Sequence, residues 1–427
     1  MTAVDQLKEP KGLLVGGIAA GIAGVMADLL SPIYATSFHK GFGLSNTAAG
    51  LLVTAALGTM GIVELGLAHS IGHRNLKRTA TYGIVIASSA LLYISQVSGS
   101  GFSSLLAGMV ALGLGCGLTF VAGNAALSYA RNSERAFGLL TFWYMIFVFV
   151  MMTTNPSLRQ LYPIVLPYAA MVAVQLVCLA LIWWKLPDTR IIAAQRAAAE
   201  KSVTEAVPAL GAELRRDVPA LNLFGRLPIL LGLAVTLSQF AVAGLWTFAQ
   251  DLGRTAGLSA ELTASFLGFS QLIGLLGTMA PWLLGRWVGR AALGAAGLFV
   301  AGAGVLLVPL IHTPTAYILG NLAMNLGYWV TLPLALSIAA DIDRNSGRLV
   351  AFMLGMSSIG LALGPSLAGP LLGGQDSTLG GWVFGIIGLI AVPLIVPPAL
   401  AADRAVRARR DEEACELASG VDSQAIT

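Results

Sequence analysis

The sequence predicts an all-α membrane protein with twelve transmembrane helices in two pseudo-symmetric six-helix bundles. Three observations predict this fold, and the first is composition. Hydrophobic residues make up 56% of the 427 residues, charged residues make up only 11%, and the mean hydropathy is +0.79. A soluble protein of this length has too little interior for so much apolar surface, so most of it must face lipid or other helices.

The second observation is the length of the apolar runs. Each is close to the roughly 20 residues that a helix needs to cross a bilayer, and none alternates like a β-barrel strand. Many of the 50 glycines lie inside these runs, where small residues let helices pack closely in lipid. The predicted spans are Gly12–Ser37, Thr47–Ala68, Thr79–Val97, Phe102–Ala130, Ala136–Ser157, Leu161–Trp184, Leu227–Gln250, Leu262–Leu284, Ala291–Ile311, Pro314–Ala340, Leu349–Leu372 and Leu379–Ala402.

The third observation is a short basic segment that occurs twice, each time directly after a long apolar run. It reads RNSER at residues 131–135 and RNSGR at residues 344–348. A segment that recurs at the same point of two half-chains indicates a duplicated architecture. In a chain this apolar, duplication is typical of transporters, in which two similar halves move about a shared central site.

The duplication and the charge distribution together predict domains and orientation. We expect an N-terminal bundle at residues 1–184, a linker at 185–226 with an amphipathic helix over 191–216, a C-terminal bundle at 227–402, and a cytoplasmic tail at 403–427. The basic part of the tail is predicted to reach anionic headgroups, and its acidic remainder is predicted to be disordered. With both termini in the cytoplasm, all 25 Lys and Arg residues lie on the cytoplasmic side except Lys40, Arg159 and Arg254. This bias predicts a multi-pass protein of the cytoplasmic (inner) membrane, with linker and tail inside the cell.

Two acidic residues lie inside the apolar spans, Asp28 in the first and Glu64 in the second. A charge at the centre of a transmembrane helix costs about 2.5–3.5 kcal/mol on insertion scales, so such residues mark functional sites. No Lys or Arg lies in the middle of a span, and we therefore predict that Asp28 exchanges protons. The alternative is an Asp that serves helix packing. Asp28 continues a stripe of small residues, which is typical of a helix beside a water-accessible cavity: Gly17, Gly21, Gly24, Ser31 and Ala35.

Amide and aromatic side chains share one face of the seventh span and one face of the tenth. Such groups suit an amphipathic ligand, which they hold by ring stacking and a few directed hydrogen bonds. The alternative is that they form hydrogen bonds between helices. The predicted substrate-binding residues are Gln239, Trp246 and Gln250 on the seventh span, and Asn321, Asn325, Tyr328 and Trp329 on the tenth.

Twelve helices in two groups of six around a central loop resemble the major facilitator superfamily over the whole chain. That family's signature is an acid-containing loop rich in Gly and Arg between helices 2 and 3. Here the loop reads LAHSIGHR at residues 67–74, with His69 at the position of the acid, and LGRWVGR at residues 284–290 has Arg286 there. The resemblance implies a secondary transporter that works by alternating access, with helix 1 at the cavity.

Loop and interface residues form the predicted gate. Glu64 lies one turn before the His69 loop, and we expect it to pair with Arg131, Arg135 or His73 as a latch. The alternative is that Glu64 reaches the membrane surface. The repeated basic segments are predicted to hold the outward-facing state through charge pairs between the bundles. The full gating set is Glu64, His69, Arg74, Arg131, Arg135, Arg286, Asp341, Asp343, Arg344 and Arg348.

These residues predict a secondary active transporter that moves a small amphipathic organic compound across the inner membrane, coupled to protons through Asp28. Export of neutral or cationic hydrophobic compounds is favoured, because several multidrug exporters of the resembled family carry an acid in helix 1. The missing Gly-Pro motif in the fifth span weakens this preference. The alternative is a proton-coupled importer of a small nutrient such as an aromatic monocarboxylate, and a channel or non-transporting sensor is the alternative of another class.

Other classes of protein lack support in the sequence. No Gly-x-x-x-x-Gly-Lys-[Ser/Thr] loop occurs, which argues against an ATP-driven pump, and no catalytic set is apparent, which argues against an enzyme. The expected partners are the small-molecule substrate, protons and membrane lipid. We expect no nucleic acid, cofactor or metal, and we expect a monomer.

Overall fold

The structure is a computed structural model, and it describes residues 12–68, 70–71, 74–97, 101–130, 133–188, 224–342, 348–372 and 377–424. We refer to residues 12–188 as the N-terminal half and to residues 224–424 as the C-terminal half. The predicted amphipathic helix over residues 191–216 lies outside the described residues. Four predicted gating residues also lie outside them: His69, Arg131, Asp343 and Arg344.

The regular secondary structure of the described residues is helical. In the N-terminal half the helices are α1 (Leu13–Gly24), α2 (Met26–Leu29), α3 (Ser31–Thr36), α4 (Asn46–Ala68), α5 (Leu76–Gln96), α6 (Phe102–Ser128), α7 (Ser133–Leu161) and α8 (Val165–Lys185). In the C-terminal half they are α9 (Arg226–Thr255), α10 (Ala260–Val288), α11 (Arg290–Leu310), α12 (Pro314–Ile342), α13 (Arg348–Leu372) and α14 (Thr378–Gln424).

Ten helices of the described residues are long and apolar enough to cross a membrane, so the prediction of a multi-pass α-helical membrane protein is confirmed. The twelve-span arrangement in two bundles and the cytoplasmic termini stay predictions. The predicted first and third spans are not among the ten, although α5 forms where the third was placed. The ten are Asn46–Leu67, Phe102–Ser128, Ala136–Leu161, Val165–Lys185, Arg226–Thr255, Ala260–Gly285, Arg290–Leu310, Pro314–Ala339, Phe352–Leu372 and Thr378–Arg404.

The first predicted span, Gly12–Ser37, is not one continuous helix. It consists of α1, α2 and α3, which are separated at Val25 and Leu30. A π-helical turn over Ser37–Gly41 follows α3. The chain therefore crosses this region as short helical pieces rather than as the regular helix that its apolar composition predicted.

Proline explains the interruption after α2. Pro32 has no N–H to donate to the carbonyl of Asp28, four residues earlier, so the α-helical ladder cannot continue through this turn. The next N–H, that of Ile33, donates instead to the carbonyl of Leu30 at 2.9 Å. The carbonyl of Leu29 is thereby left outside the backbone ladder and is available to another part of the molecule.

The last helix is longer than the sequence predicted. The twelfth span was expected to end at Ala402, and the acidic remainder of the tail was expected to be disordered, but α14 continues to Gln424. Ala, Arg and Glu, which are strong helix formers, make up 12 of the 25 residues after Ala402. These local preferences explain why a segment with a run of charges is helical.

Helices α4 and α13 join the two halves along most of their length. Gly50 of α4 lies against the carbonyl of Pro365, and Gly369 of α13 lies against the backbone at the start of α4. Further along, Gly61 of α4 lies against Ser358 of α13. Small residues at these three positions allow the two backbones to approach closely, which is how helices associate in lipid.

Helices α7 and α10 join the halves on the other side, but only over part of their length. The rings of Phe149 and Phe269 lie 5.0 Å apart in an edge-to-face arrangement, and Gly268 packs against the backbone of Phe149. A side chain added at Gly138 or Gly285 would meet no atom of the described residues within 4 Å. The two helices therefore separate toward one end of the protein.

The close contact at Gly50 gives a test of this packing. We expect Gly50→Ala to lower the stability of the purified protein by about 1–3 kcal/mol, because the added methyl group meets the carbonyl of Pro365. The control is Gly66→Ala on the same helix, where an added methyl group meets nothing within 4 Å. Melting temperatures in detergent would measure both, and equal values for the two variants would contradict this account of the interface.

Candidate functional site

A cavity of about 2180 Å³ lies between the N-terminal half and the C-terminal half. Its wall comes from α2, α4, α6 and α7 on one side and from α9, α10, α11, α12, α13 and α14 on the other. We call the end where Ser128, Trp287 and Arg407 line the cavity the open end, where Trp287 is 85% exposed. The volume is ample for a drug-sized compound, since typical ligand pockets measure about 300–1,000 Å³.

The opposite end, which we call the closed end, is sealed by buried contacts between the halves. Thr36 Oγ1 of α3 donates to Gln250 Oε1 of α9 at 2.9 Å. Trp246 Nε1 of α9 donates to the carbonyl of Leu29 at 3.3 Å. That carbonyl is the one left free above Pro32, so the interruption of the first span supplies an acceptor to the other half.

A second, much smaller cavity of about 30 Å³, which we call the inner pocket, adjoins the large cavity at this closed end. It shares residues of both halves with the large cavity and reaches Trp246 of the closed end. The inner pocket brings Asp28 together with five of the seven predicted substrate-binding residues: Gln239, Trp246, Asn325, Tyr328 and Trp329. Residues from three distant sequence segments thus meet at one point.

The other two predicted substrate-binding residues, Gln250 and Asn321, line neither of the two described cavities. Gln250 is occupied at the closed end by Thr36. Asn321 Nδ2 donates to the carbonyl of Tyr317, one turn earlier on α12, at 2.9 Å. Gln250 and Asn321 lie on the same helix faces as Trp246 and Asn325, but at positions along α9 and α12 where those faces do not line either cavity.

Asp28 has no hydrogen-bond or ion-pair partner for its carboxylate among the described residues. It is partly buried in α2 and lines both cavities. Its ionisable neighbours are Glu64 of α4, Tyr144 of α7 and Tyr328 of α12. A carboxylate without a partner at the junction of two cavities is free to bind a proton or a cationic group that enters from the open end.

The glycines that precede Asp28 do not line the cavity. Gly17 and Gly24 pack against α6, and Gly21 packs against α7. The small-residue stripe is therefore a packing surface of α1, and Asp28 is its one member that lines a described cavity. Small residues serve both close helix packing and cavity walls, so the sequence pattern alone did not distinguish the two.

Positive charge lines the cavity only at its open end, within the part of the chain that the structure describes. Arg290 and Arg407 are the lining cations, and Arg290 Nε lies 3.9 Å from Asp403. The deeper lining is apolar, aromatic or neutral apart from Asp28 and Glu64. The interior of the cavity therefore favours neutral or positively charged groups over anions.

Glu64 lines the large cavity and contacts the opposite half. Ser358 Oγ of α13 donates to Glu64 Oε2 at 2.8 Å, beside the close approach at Gly61. The expected partners Arg131 and His73 lie outside the described residues. The latch role of Glu64 stays a prediction, with Ser358 as its partner from the opposite half.

The remaining predicted gating residues are Arg74 in the loop after α4 and four residues within helices. Arg74 Nε donates to Ser70 Oγ at 3.3 Å, a bond within its own loop. The other four lie within helices, but their side chains fall outside the described part of the structure: Arg135 in α7, Arg286 in α10, Asp341 in α12 and Arg348 in α13.

Sequence reasoning missed several polar lining residues, among them Gln271 of α10 and Ser357 of α13. Gln271 Nε2 donates to Asn325 Oδ1 at 2.8 Å, and Gln239 Nε2 donates to Ser357 Oγ at 2.6 Å. Both are neutral polar residues inside apolar spans. A survey of every polar residue in the spans, rather than of charges and two helix faces, would have found them.

The comparison with known families decides the identity of this fold. The model of the Major Facilitator Superfamily matches residues 16–365, which is most of the chain. The chain belongs to the Major Facilitator Superfamily. This superfamily protein is thus built like a membrane transporter and is not an enzyme, as its sequence predicted.

One similar sequence and several similar solved structures are consistent with membership of this superfamily. An uncharacterized transporter of Sinorhizobium fredii, y4wD, is 28% identical over 181 residues, which are 39% of this chain and about half (47%) of the relative. Among solved structures, a peptide transporter (POT) in complex with sulfate has a TM-score of 0.68 at 16% identity, covering 93% of this chain and 96% of that one. A D-xylose-proton symporter has a TM-score of 0.67 at 14% identity, covering 90% and 96%. Likeness at these identities shows the fold alone.

A substitution at the closed end tests whether the hydrogen bond between Thr36 and Gln250 keeps this end closed. We expect Thr36→Val to weaken this end, because the buried Gln250 Oε1 loses its donor, a loss of about 1–3 kcal/mol. A cysteine introduced by Ala35→Cys, at a position 1% exposed, should then react at least about five-fold faster with a water-soluble maleimide.

Thr59→Val is the matched control, since Thr59 Oγ1 bonds only within its own helix, to the carbonyl of Ala55 at 2.7 Å. It should leave the labelling rate of the introduced cysteine unchanged. Equal rates in the Thr36→Val and Thr59→Val backgrounds would show that the bond between Thr36 and Gln250 does not hold the closed end.

Proposed function

We propose that this superfamily protein is a secondary active transporter that moves a small amphipathic organic compound across the inner membrane by alternating access, coupled to protons through Asp28. The proposed direction of transport is export, and the proposed substrates are neutral or cationic hydrophobic compounds. The observation that carries this proposal is the unpaired carboxylate of Asp28 at the junction of the two cavities and the two halves. A single titrating group at that point can respond to both substrate and protons.

The shape of the cavity supports alternating access rather than a static pore. The open end is wide, whereas the closed end is sealed by buried hydrogen bonds between the halves. A transporter of this kind exposes its central site to one side at a time. In the topology proposed from the Lys and Arg bias, the open end faces the cytoplasm, where an exporter takes up its substrate.

The charges that line the cavity support the proposed substrate class. Asp28 and Glu64 are the deep charges, while the lining cations Arg290 and Arg407 stand at the open end. An anion drawn to the inner pocket would find no positive partner there, and burial without one costs several kcal/mol. Import of a monocarboxylate therefore has less support than export of a neutral or cationic compound.

The gate is proposed to use contacts between the halves on both sides of Asp28. Thr36 and Gln250 hold the closed end in this state, and Glu64 with Ser358 joins α4 to α13 beside the cavity. The basic segments at residues 131–135 and 344–348 are proposed to hold the opposite, outward-facing state. Binding at Asp28 would shift the balance only if it favours one of the two states.

Asp28→Asn tests the coupling. We expect proton flux that depends on an added compound to fall to the level of empty liposomes, because the amide keeps the size of the side chain but does not titrate. Flux is measured with a pH-sensitive dye inside proteoliposomes while a panel of amphipathic amines, alcohols and carboxylates is added. Asp188→Asn, outside both described cavities, should retain the flux. Full flux in Asp28→Asn would remove Asp28 from the coupling step.

The same carboxylate predicts how pH affects binding. A cationic ligand needs ionised Asp28, so its affinity should fall as the pH is lowered and Asp28 takes up a proton. Glu64, Tyr144 and Tyr328 are the titratable groups that face Asp28, and none of them can carry positive charge. Affinity measured by intrinsic fluorescence should lose this pH dependence in Asp28→Asn, and a wild-type affinity that rises in acid would contradict the proposal.

A further inference from the structure

The inner pocket has room for only a small group. Its volume of about 30 Å³ corresponds to one or two water-sized groups. It opens to the large cavity through the residues that both share, among them Asp28, Gln239 and Tyr328. An amphipathic compound could therefore place one compact polar end in the inner pocket while its apolar body stays in the large cavity.

Hydrogen bonds fix which amide atom of Gln271, a residue that lines the inner pocket, is left without a partner. Asn325 Nδ2 donates to the backbone carbonyl of Asn321 at 3.0 Å and to Ser270 Oγ at 3.3 Å. Because a backbone carbonyl only accepts, the amide of Asn325 must turn its Oδ1 toward Gln271. Gln271 Nε2 donates to Asn325 Oδ1 at 2.8 Å, so Gln271 Oε1 is left as an acceptor.

That acceptor has no partner within the described protein. Gln271 is 3% exposed and lines the inner pocket, and its buried Oε1 makes no hydrogen bond to any described residue. A buried acceptor without a donor costs free energy, and a donor brought by an occupant would remove that cost. Asp28 lines the same pocket with a second unpartnered acceptor.

The remaining walls of the inner pocket suit a positive charge. The rings of Trp246, Tyr328 and Trp329 line it, and the last two meet edge to face with centroids 5.0 Å apart. Aromatic rings attract cations through their quadrupole. No Lys, Arg or His is among the described residues that line the inner pocket. The pocket therefore combines acceptors, aromatic rings and negative charge with one unpartnered donor, Trp329 Nε1, in a space that admits a small group.

We infer that the inner pocket binds the protonated primary-amine end of an amphipathic substrate, with Asp28 and Gln271 Oε1 accepting its N–H bonds. A primary ammonium group is compact and carries three donors. A trimethylammonium group carries the same charge but has no donor and is too large for this space. This inference rests on the proposed function, and it specifies the head group that the same site selects.

Equilibrium binding to the purified full-length protein tests the inference with three compounds that share one apolar body. They are 2-(2-naphthyl)ethylamine, its N,N,N-trimethyl derivative and 2-(2-naphthyl)ethanol. The primary amine should bind at least about ten-fold more tightly than the trimethyl derivative, because hydrogen bonds to a charged group are lost and the larger head group is excluded. Equal or tighter binding of the trimethyl compound would overturn the inference, and this comparison needs no variant.

Gln271→Met then tests the acceptor itself. It should weaken binding of the primary amine about ten-fold and leave the trimethyl derivative unchanged, which erases the preference. The matched control is Gln175→Met. Gln175 is buried like Gln271 and has an unpartnered Oε1, and its Nε2 donates to the carbonyl of Ala23 and to Met26 Sδ, but it lines neither described cavity. It should keep the preference.

An equal loss of affinity for all three compounds in Gln271→Met, or the same loss of preference in Gln175→Met, would overturn the role of Gln271. Failure of the inference and failure of the proposed function give different results. If other compounds drive Asp28-dependent proton flux but the primary amine has no advantage in binding, the head-group assignment is wrong and the transporter proposal stands. If no compound drives proton flux in wild-type protein, the proposed function itself fails.

Discussion

A single missing hydrogen-bond donor in the first span shapes the closed end and the site beside it. Pro32 cannot donate to the carbonyl of Asp28, so the helix breaks, and the carbonyl of Leu29 leaves the backbone ladder. Trp246 from the other half donates to that carbonyl at 3.3 Å. The break thus places Asp28 beside an aromatic side chain of the opposite half, where both line the inner pocket.

Backbone carbonyls set the orientation of polar side chains deep in the protein, because a carbonyl can only accept a hydrogen bond. The carbonyl of Asn321 orients Asn325, and Asn325 in turn orients Gln271. In a low-dielectric interior such a chain is rigid, because turning Asn325 would place its Oδ1 against the carbonyl of Asn321, and turning Gln271 would place two amide oxygens together. The acceptor at Gln271 Oε1 is therefore a consequence of helix α12 as much as of Gln271 itself.

Glycine determines where the halves touch and where they separate. Close contacts at Gly50, Gly61 and Gly369 keep α4 and α13 together from the closed end to the level of Glu64. On the other side, α7 and α10 touch at Gly268 but leave Gly138 without a neighbour among the described residues. The cavity is therefore sealed more completely by one pair of helices than by the other, although both pairs use small residues.

Composition and run length by themselves determined that the chain is a multi-pass helical membrane protein, because only helices satisfy their own backbone within a single apolar segment. The rarity and cost of charges inside lipid identified Asp28, and the helical spacing of amide and aromatic side chains identified five residues of the inner pocket. Only the tertiary structure separated these five from Gln250 and Asn321 and added Gln271, because helical spacing gives the face of a residue but not its depth or its partner. It also decided that the glycines of α1 pack while Asp28 lines the cavity, since this depends on which helix lies opposite.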